Sequence, residues 1–493
     1  MLSTVKEKRL QLSKATDANK KSYLGQFLTP ERTAEFMASL FPDGTECCRL
    51  LDAGAGIGSL SAAFLERWLK GDLHFQRMEV DAFELDHALI KHLEQTLNHY
   101  NSRDDFLCNI HEEDFIHASV ASLSGNLFSK PLEIYTHAIL NPPYRKINSD
   151  SAYRLALRRV GIETVNLYSA FVALATALTA PGGQIVAIIP RSFCNGPYYR
   201  PFREFILKRT AIRHMHLFES RSRTFKDDDV LQENVIIRLE RGGRQDMVKI
   251  STSTDDSFED IAGYQCPFNQ IVFPDDPERF IHVPASPRKN DVNMSEAVRY
   301  RLADLGIKVS TGPVVDFRLK EYLRDMPVRG AVPLLYPGHF SDGVTWPIEG
   351  MKKPNAILLN AETQKWLYPK GFYCVVRRFS SKEEKRRIVA NVVEPHIFDG
   401  VSMLGFENHL NLFHDGKCGL PEALARGLAV YLNSADVDEN FRCFSGHTQV
   451  NATDLRLMKY PSRDVLMRIG EWTMRHGMPA RDQIDARLGA LIE

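Results

Sequence analysis

Between residues 46 and 240, short apolar runs alternate with stretches whose apolar residues recur every three to four positions. The runs at 48–54 (CRLLDAG), 80–86 (VDAFELD), 132–144 (LEIYTHAILNPPY), 182–190 (GGQIVAIIP), 212–218 (IRHMHLF) and 234–240 (NVIIRLE) predict strands. The stretches 60–70, 87–100 and 166–178 predict helices between them. Such alternation predicts an α/β fold, a mostly parallel sheet covered by helices on both faces. Sheets of this class bind ligands at the carboxyl ends of their strands. A polar, charged loop at 219–233 separates the last two strands.

After Glu240 the rhythm stops. Residues 242–246 (GGRQD) read as a linker, and the following sequence is rich in proline, aromatic residues and irregular loops. The expected division is a first domain over 1–244, with a polar extension at 1–24, and a second, mixed α+β domain over 245–493. A chain of 493 residues exceeds one compact core, which agrees with two domains. No internal repeat or long low-complexity tract interrupts either half.

Composition narrows the class without naming a function. With 44% hydrophobic and 25% charged residues the chain is an ordinary globular protein. It has no run of eighteen apolar residues, and its polar N-terminus lacks the apolar segment of a secretory signal. No membrane association is expected, and a cytoplasmic location is. The eight cysteines are scattered without a CxxC pair, so neither a metal site nor a disulfide framework is expected. Lys+Arg and Asp+Glu are equal at 62 each, a balance that neither supports nor excludes nucleic-acid binding.

Three features point to a nucleoside-bearing ligand. The strand at 48–54 runs into Asp52-x-Gly54-x-Gly56-x-Gly58, whose glycines let the backbone turn sharply and approach a ligand. The dinucleotide fingerprint needs its third glycine one residue later, so methyltransferases and other nucleotide-binding folds both stay open. Glu84, at the end of the next strand, offers two acceptor oxygens to ribose hydroxyls, while Asp86 suits the N-cap of the following helix. Asp114 can accept from the exocyclic amine of an adenine with Phe115 packing nearby, although alone it would read as a surface acid.

Asn141-Pro142-Pro143-Tyr144 carries the reaction chemistry. Two consecutive prolines make a stiff turn without amide donors, leaving the Asn141 side-chain oxygen and the Pro142 carbonyl as fixed acceptors. An amine on an aromatic ring is a poor nucleophile because its lone pair is delocalised. Accepting hydrogen bonds from both of its N–H groups pulls the nitrogen toward tetrahedral geometry and frees that pair. Tyr144 supplies a flat surface for the ring. No metal is needed for this chemistry.

The order GQFLTP (25–30), DAGAGIG (52–58), FELD (83–86), EDFI (113–116) and NPPY (141–144), followed by a large C-terminal half, resembles the gamma class of DNA adenine-N6 methyltransferases. Most of these belong to type II restriction–modification systems. The resemblance covers residues 20–240, and extends more weakly to later segments that are similar to PstI-like or XhoI-like modification enzymes. It implies a Rossmann-like domain that binds S-adenosylmethionine, then a target-recognition domain for double-stranded DNA. It places Gln26, Phe27, Thr29 and Pro30 near the cofactor's methionine, although Thr29-Pro30-Glu31 also suits a helix-opening turn. Asp52, Gly54, Gly56, Gly58, Glu84, Asp114, Phe115 and Asn141 complete the implied cofactor set.

The target base must leave the duplex to reach such a pocket, and Phe225 resembles the aromatic that packs on its other face. Arg377, Arg378, Lys382, Lys385, Arg386 and Arg387 are candidate phosphate contacts, and His447, Thr448, Gln449 and Asn451 candidate base or backbone contacts. A stand-alone, monomeric modification subunit is expected, with any cognate endonuclease encoded separately. RNA and protein-glutamine methyltransferases share the tetrapeptide chemistry and stay open as alternatives, as does N4 of cytosine as the target atom. A non-catalytic binding protein with a decayed fold would have lost the motifs that this chain keeps.

Overall fold

The computed structural model describes residues 5, 7–9, 28–44, 46–125, 132, 134–218, 233–274, 276–283, 298–341, 343–380, 384–444, 449–479, 483–485 and 488. These residues form two compact units, Met1–Pro287 and Arg288–Glu493.

The first unit includes α1 (Glu31–Ser39), then β1 (Cys47–Ala53), α2 (Ser59–Leu69), β2 (Arg77–Phe83), α3 (His87–Asn98), β3 (Phe106–His111) and α4 (Phe115–Leu123). It continues with β4 (Tyr135–Leu140), α5 (Ala152–Arg159), α6 (Leu167–Leu178), β5 (Thr179–Pro190), α7 (Arg200–Arg209), β6 (Thr210–Phe218), β7 (Asn234–Arg241), β8 (Met247–Ser253) and β9 (Ala262–Pro267). The strands make one nine-stranded sheet in the order β3-β2-β1-β4-β5-β7-β6-β8-β9. From β3 to β5 the neighbours are parallel, and β7 runs antiparallel between β5 and β6.

Local chemistry explains these elements. Strand β5 is buried without a break from 183 to 190, as a strand covered on both faces requires. Helix α6 is apolar all round and buried along nearly its whole length, and Asn166 caps it by accepting from the Tyr168 amide. One hydrophobic cluster on each face of the sheet fills the space under the helices.

The division expected at 244 falls inside this sheet. Gly242, at φ 69°, turns the chain after β7, and β8 then pairs with β6. Val248 and Ile250 share the hydrophobic cluster of Val235 and Ile237, and that cluster extends to Val283. The glycine pair is therefore a turn within one core, and the units part at 287.

The second unit is mixed α+β. Strands β10 (Lys308–Thr311), β11 (Tyr373–Arg377), β12 (Ala390–Val393) and β13 (Leu410–His414) form an antiparallel sheet in the order β10-β13-β11-β12. A separate five-stranded sheet includes Ala331–Leu335 and Met403–Phe406. Helices α8 (Glu422–Leu432), α9 (Ala452–Leu457) and α10 (Arg463–His476) also belong to this unit. Helices α8 and α10 touch backbone to backbone, because a Cβ on Gly427 would lie 1.9 Å from the Leu466 carbonyl oxygen. A Cβ on Gly470 would lie 1.7 Å from that of Ala423.

Candidate active site

The chain moves outward from β1 to β3, then crosses back to β4 on the other side of β1. The carboxyl ends of β1 and β4 thus flank the point where strand order reverses, the place where sheets of this kind bind ligands. A cavity of about 390 Å³ opens there, and its walls include Gly54, Gly56, Glu84, Asp114, Phe115 and Asn141. The structure thereby brings together residues from four different strand ends.

The glycine turn forms the floor. Gly54 and Gly56 adopt φ of 78° and 58°, in the left-handed region that favours glycine. The Gly54 and Ala55 amides donate to the Phe83 carbonyl at 2.9 Å each, which ties the turn to β2. A Cβ on Gly56 would lie 3.1 Å from Leu28, itself a cavity residue. Gly58 does different work, since a Cβ there would meet Leu93 and Thr96 of α3. Its need for glycine comes from this helix packing as well as from its own left-handed φ of 81°.

Glu84 is buried at the cavity wall, with one oxygen accepting the Gly56 amide at 2.8 Å. Its other oxygen accepts the amides of Leu85 at 2.9 Å and Asp86 at 2.8 Å. Burial raises its carboxyl above the usual range, opposed by these three amides. Asp86 caps α3 through the Ala88 amide, the role expected of it.

Asp52 stands apart from the other expected cofactor residues. It is fully buried and outside the cavity walls, with Oδ2 accepting the Ser61 amide at 3.2 Å and the Ser61 hydroxyl at 2.6 Å. Burial pushes its carboxyl up to about 7, with the Glu84 charge adding to the rise and Ser61 opposing it.

Asp114 performs two tasks. Its Oδ1 caps α4 by accepting the His117 amide at 2.9 Å, and its Oδ2 accepts the Tyr153 hydroxyl at 2.6 Å. Phe115 packs edge-on against Phe83, with ring centres 5.2 Å apart, and against Phe171 at 5.1 Å. This end of the cavity is an aromatic slot with an acid at its rim.

At the other end, the Asn141 amide donates to the Thr29 hydroxyl oxygen at 2.9 Å. The Tyr144 hydroxyl lies 3.3 Å from Asn141 Oδ1 and 3.2 Å from the Ile188 carbonyl, and can donate to either. Burial holds the Tyr144 phenol above its ordinary range, so it stays protonated. The half-buried Tyr144 ring meets Tyr168 edge-on at 6.2 Å. Pro142 is buried, Pro143 lines the cavity, and Pro30 precedes α1 as its N-cap.

Gln26, Phe27, Phe225, Lys382, His447 and Thr448 lie outside the described residues. In the second unit, 377–379 and 449–451 prove to be neighbours. The Val450 amide donates to the Arg378 carbonyl at 2.7 Å, and the Arg378 guanidinium donates to Gln449 Oε1 at 3.1 Å. Arg377 pairs with Glu384, Arg386 lies 4.0 Å from Asp485, and Lys385 is exposed.

Two expected nucleic-acid contacts have roles in the fold. Arg387 has 0% exposure, donating to Ser380 Oγ at 3.1 Å with its guanidinium 5.4 Å from the Phe441 ring centre. Asn451 and Asp454 form a reciprocal cap on α9. Neither burial nor capping shows in a run of charged or polar letters. Sequence reasoning also passed over Tyr153, Phe171, Arg145 and Leu28 in the cavity wall. Only the neighbouring NPPY turn could have drawn attention to Arg145. Among the described residues no group of three or more His, Cys, Asp or Glu is placed to hold a metal, and no helix is long and apolar enough to cross a membrane.

Residues 46–225 match the Eco57I restriction-modification methylase family. Over its full length the chain is 51% identical to the type II methyltransferase M.BsuBI of Bacillus subtilis, covering 98% of that protein. It is 42% identical to the type II methyltransferase M.PstI of Providencia stuartii, over 91% of this chain and 89% of the relative. Among solved structures, the DrdV–DNA complex is similar in fold over 95% of this chain and 59% of that one, with a TM-score of 0.51 at 14% identity.

Proposed function

The chain belongs to the type II methyltransferases of restriction–modification systems, and from that premise we propose that it moves a methyl group from S-adenosylmethionine to N6 of an adenine flipped out of double-stranded DNA. The observation that carries this reading is Asn141, which lines the nucleoside-sized cavity at the end of a proline turn. These relatives decide between the readings that the tetrapeptide left open, in favour of restriction–modification over RNA or protein-glutamine methylation.

The residues present suit the cofactor. The glycine turn leaves room that side chains would fill, Glu84 offers acceptors for ribose hydroxyls, and the Phe83–Phe115–Phe171 slot accepts a flat ring with Asp114 at its amine edge. The bound cofactor supplies a sulfonium methyl, already strongly electrophilic. The chain's own work is to position and polarise the amine. Asn141 Oδ1 and the Pro142 carbonyl accept its two N–H groups, and Tyr144 stacks on the base. The second unit reads the DNA sequence, with the hydrogen-bonded pair Arg378 and Gln449 among its contacts. Adenine is preferred to cytosine N4 because the motif order is that of the adenine enzymes. The enzyme acts as a cytoplasmic monomer on each strand in turn, beside a separately encoded endonuclease.

Expression in a methylation-free bacterial host, followed by methylome sequencing, tests this directly. N6-methyladenine at one short motif is expected, absent when Asn141→Ala is expressed. Unmodified DNA from a host producing protein that binds S-adenosylmethionine would refute the assignment.

A further inference from the structure

Tyr153 comes from a part of the chain that carries no motif. Residues 145–166 leave the sheet and return, the excursion being closed where the Ile147 amide donates to the Val165 carbonyl and the Leu167 amide to that of Arg145, both at 2.8 Å. Ser151 caps α5 through the Arg154 amide, and Glu163 braces the same helix by pairing with Arg154 and Arg158. Helix α5 thereby holds Tyr153 in the cavity wall, where its hydroxyl donates to Asp114 Oδ2 at 2.6 Å. The other Asp114 oxygen accepts the His117 amide. The carboxylate is thus gripped at both oxygens by donors from two different helices.

We propose that Tyr153 is a positioning residue that aims the Asp114 carboxylate at the exocyclic amine of the cofactor's purine, making the cavity select 6-amino over 6-oxo nucleosides. This rests on the cofactor reading given above. A carboxylate has about four acceptor positions, and two are committed to Tyr153 and His117. The remaining lone pairs lie at the rim of the aromatic slot, where an N–H donor satisfies them. A 6-oxo purine would set a carbonyl against them, lone pair facing lone pair. Without Tyr153, the carboxylate can turn about its Cβ–Cγ bond, and its grip on the amino edge weakens.

Calorimetric titration of the full chain with S-adenosylhomocysteine and S-inosylhomocysteine tests this. The parent is expected to prefer the adenosyl compound by about 100-fold or more. Tyr153→Phe keeps the ring, and should weaken adenosyl binding roughly five- to tenfold while leaving inosyl binding unchanged. In an Asp114→Asn background the same change should have no further effect. Equal weakening of both compounds would mean that Tyr153 only shapes the cavity, and unchanged binding of both would mean that it does nothing for the ligand. Either result overturns the inference alone. Failure of the parent to bind the adenosyl compound would overturn the cofactor reading as well.

Discussion

Thr29 and Asn141, 112 residues apart, meet side chain to side chain at 2.9 Å, with the Asn141 amide nitrogen donating. A carboxamide has two nearly isosteric ends, and only its oxygen can accept from a substrate amine. By taking the nitrogen end, Thr29 leaves Oδ1 turned toward Tyr144. Thr29→Val keeps the shape but removes the acceptor. It should lower kcat by up to about tenfold, the worth of one ordinary hydrogen bond. Thr29→Ser should restore most of the loss, as measured by methylation rates at saturating cofactor and DNA.

Asp52 gives a pH signature. Its folded carboxyl, raised by burial from the usual 3.8 to about 7, keeps a proton that the unfolded chain has released across that interval. Folding therefore becomes less favourable as pH rises through the window, and the effect levels off above about pH 7. The cost has an upper bound of roughly 4 kcal/mol. Asp52→Asn can keep an acceptor for Ser61 without the charge. The difference in Tm between variant and parent should be near zero at about pH 4 and should grow in the variant's favour to a plateau above about pH 7, when followed by calorimetry.

The Tyr144 ring and its hydroxyl are separable. Tyr144→Phe loses the donor shared by Asn141 Oδ1 and the Ile188 carbonyl but keeps a stacking face, and should retain activity within about fivefold. Tyr144→Ala loses the face as well, and stacking on one base is worth roughly 1–3 kcal/mol. Its kcat/KM should fall by about 10- to 100-fold. Comparable losses in both variants would contradict a stacking role.

Lys385 and Arg387 lie two positions apart and should behave oppositely. Lys385 is exposed, and Lys385→Ala should reduce the slope of log Kd for DNA against log salt by about one ion without changing Tm. Buried Arg387 holds Ser380, and Arg387→Met should lower Tm while leaving the salt slope of the remaining folded protein intact. Filter binding across a salt series, with melting curves, separates the two.

The strands, the glycine turn and the proline turn could be read from the sequence because each rests on local constraint. Apolar period, positive φ and a missing amide donor all act within a few residues. Asp52 was less legible, since an acid beside a glycine turn has the same spacing whether it faces a ligand or Ser61, nine residues on. Arg387 was hidden for the same reason, because its surroundings at Ser380 and Phe441 come from separate segments. The boundary was misplaced because two glycines in a turn and two glycines in a linker are the same letters. Only the buried Val248 and Ile250 that follow distinguish them.

Strand β4 pairs with β1 through Leu50 with His137, Leu51 with Ala138 and Asp52 with Ile139. Those three pairs bring the proline turn beside the glycine turn. Side chains alternate along a strand, so a slip of one residue would turn Asn141 to the opposite face and present Leu140 in its place. A chain misfolded in this way could keep the helices, much of the core and the glycine turn, yet have no acceptor for the amine. Catalytic competence is thus an assay of folding fidelity for this protein, sensitive to an error that bulk secondary structure would miss.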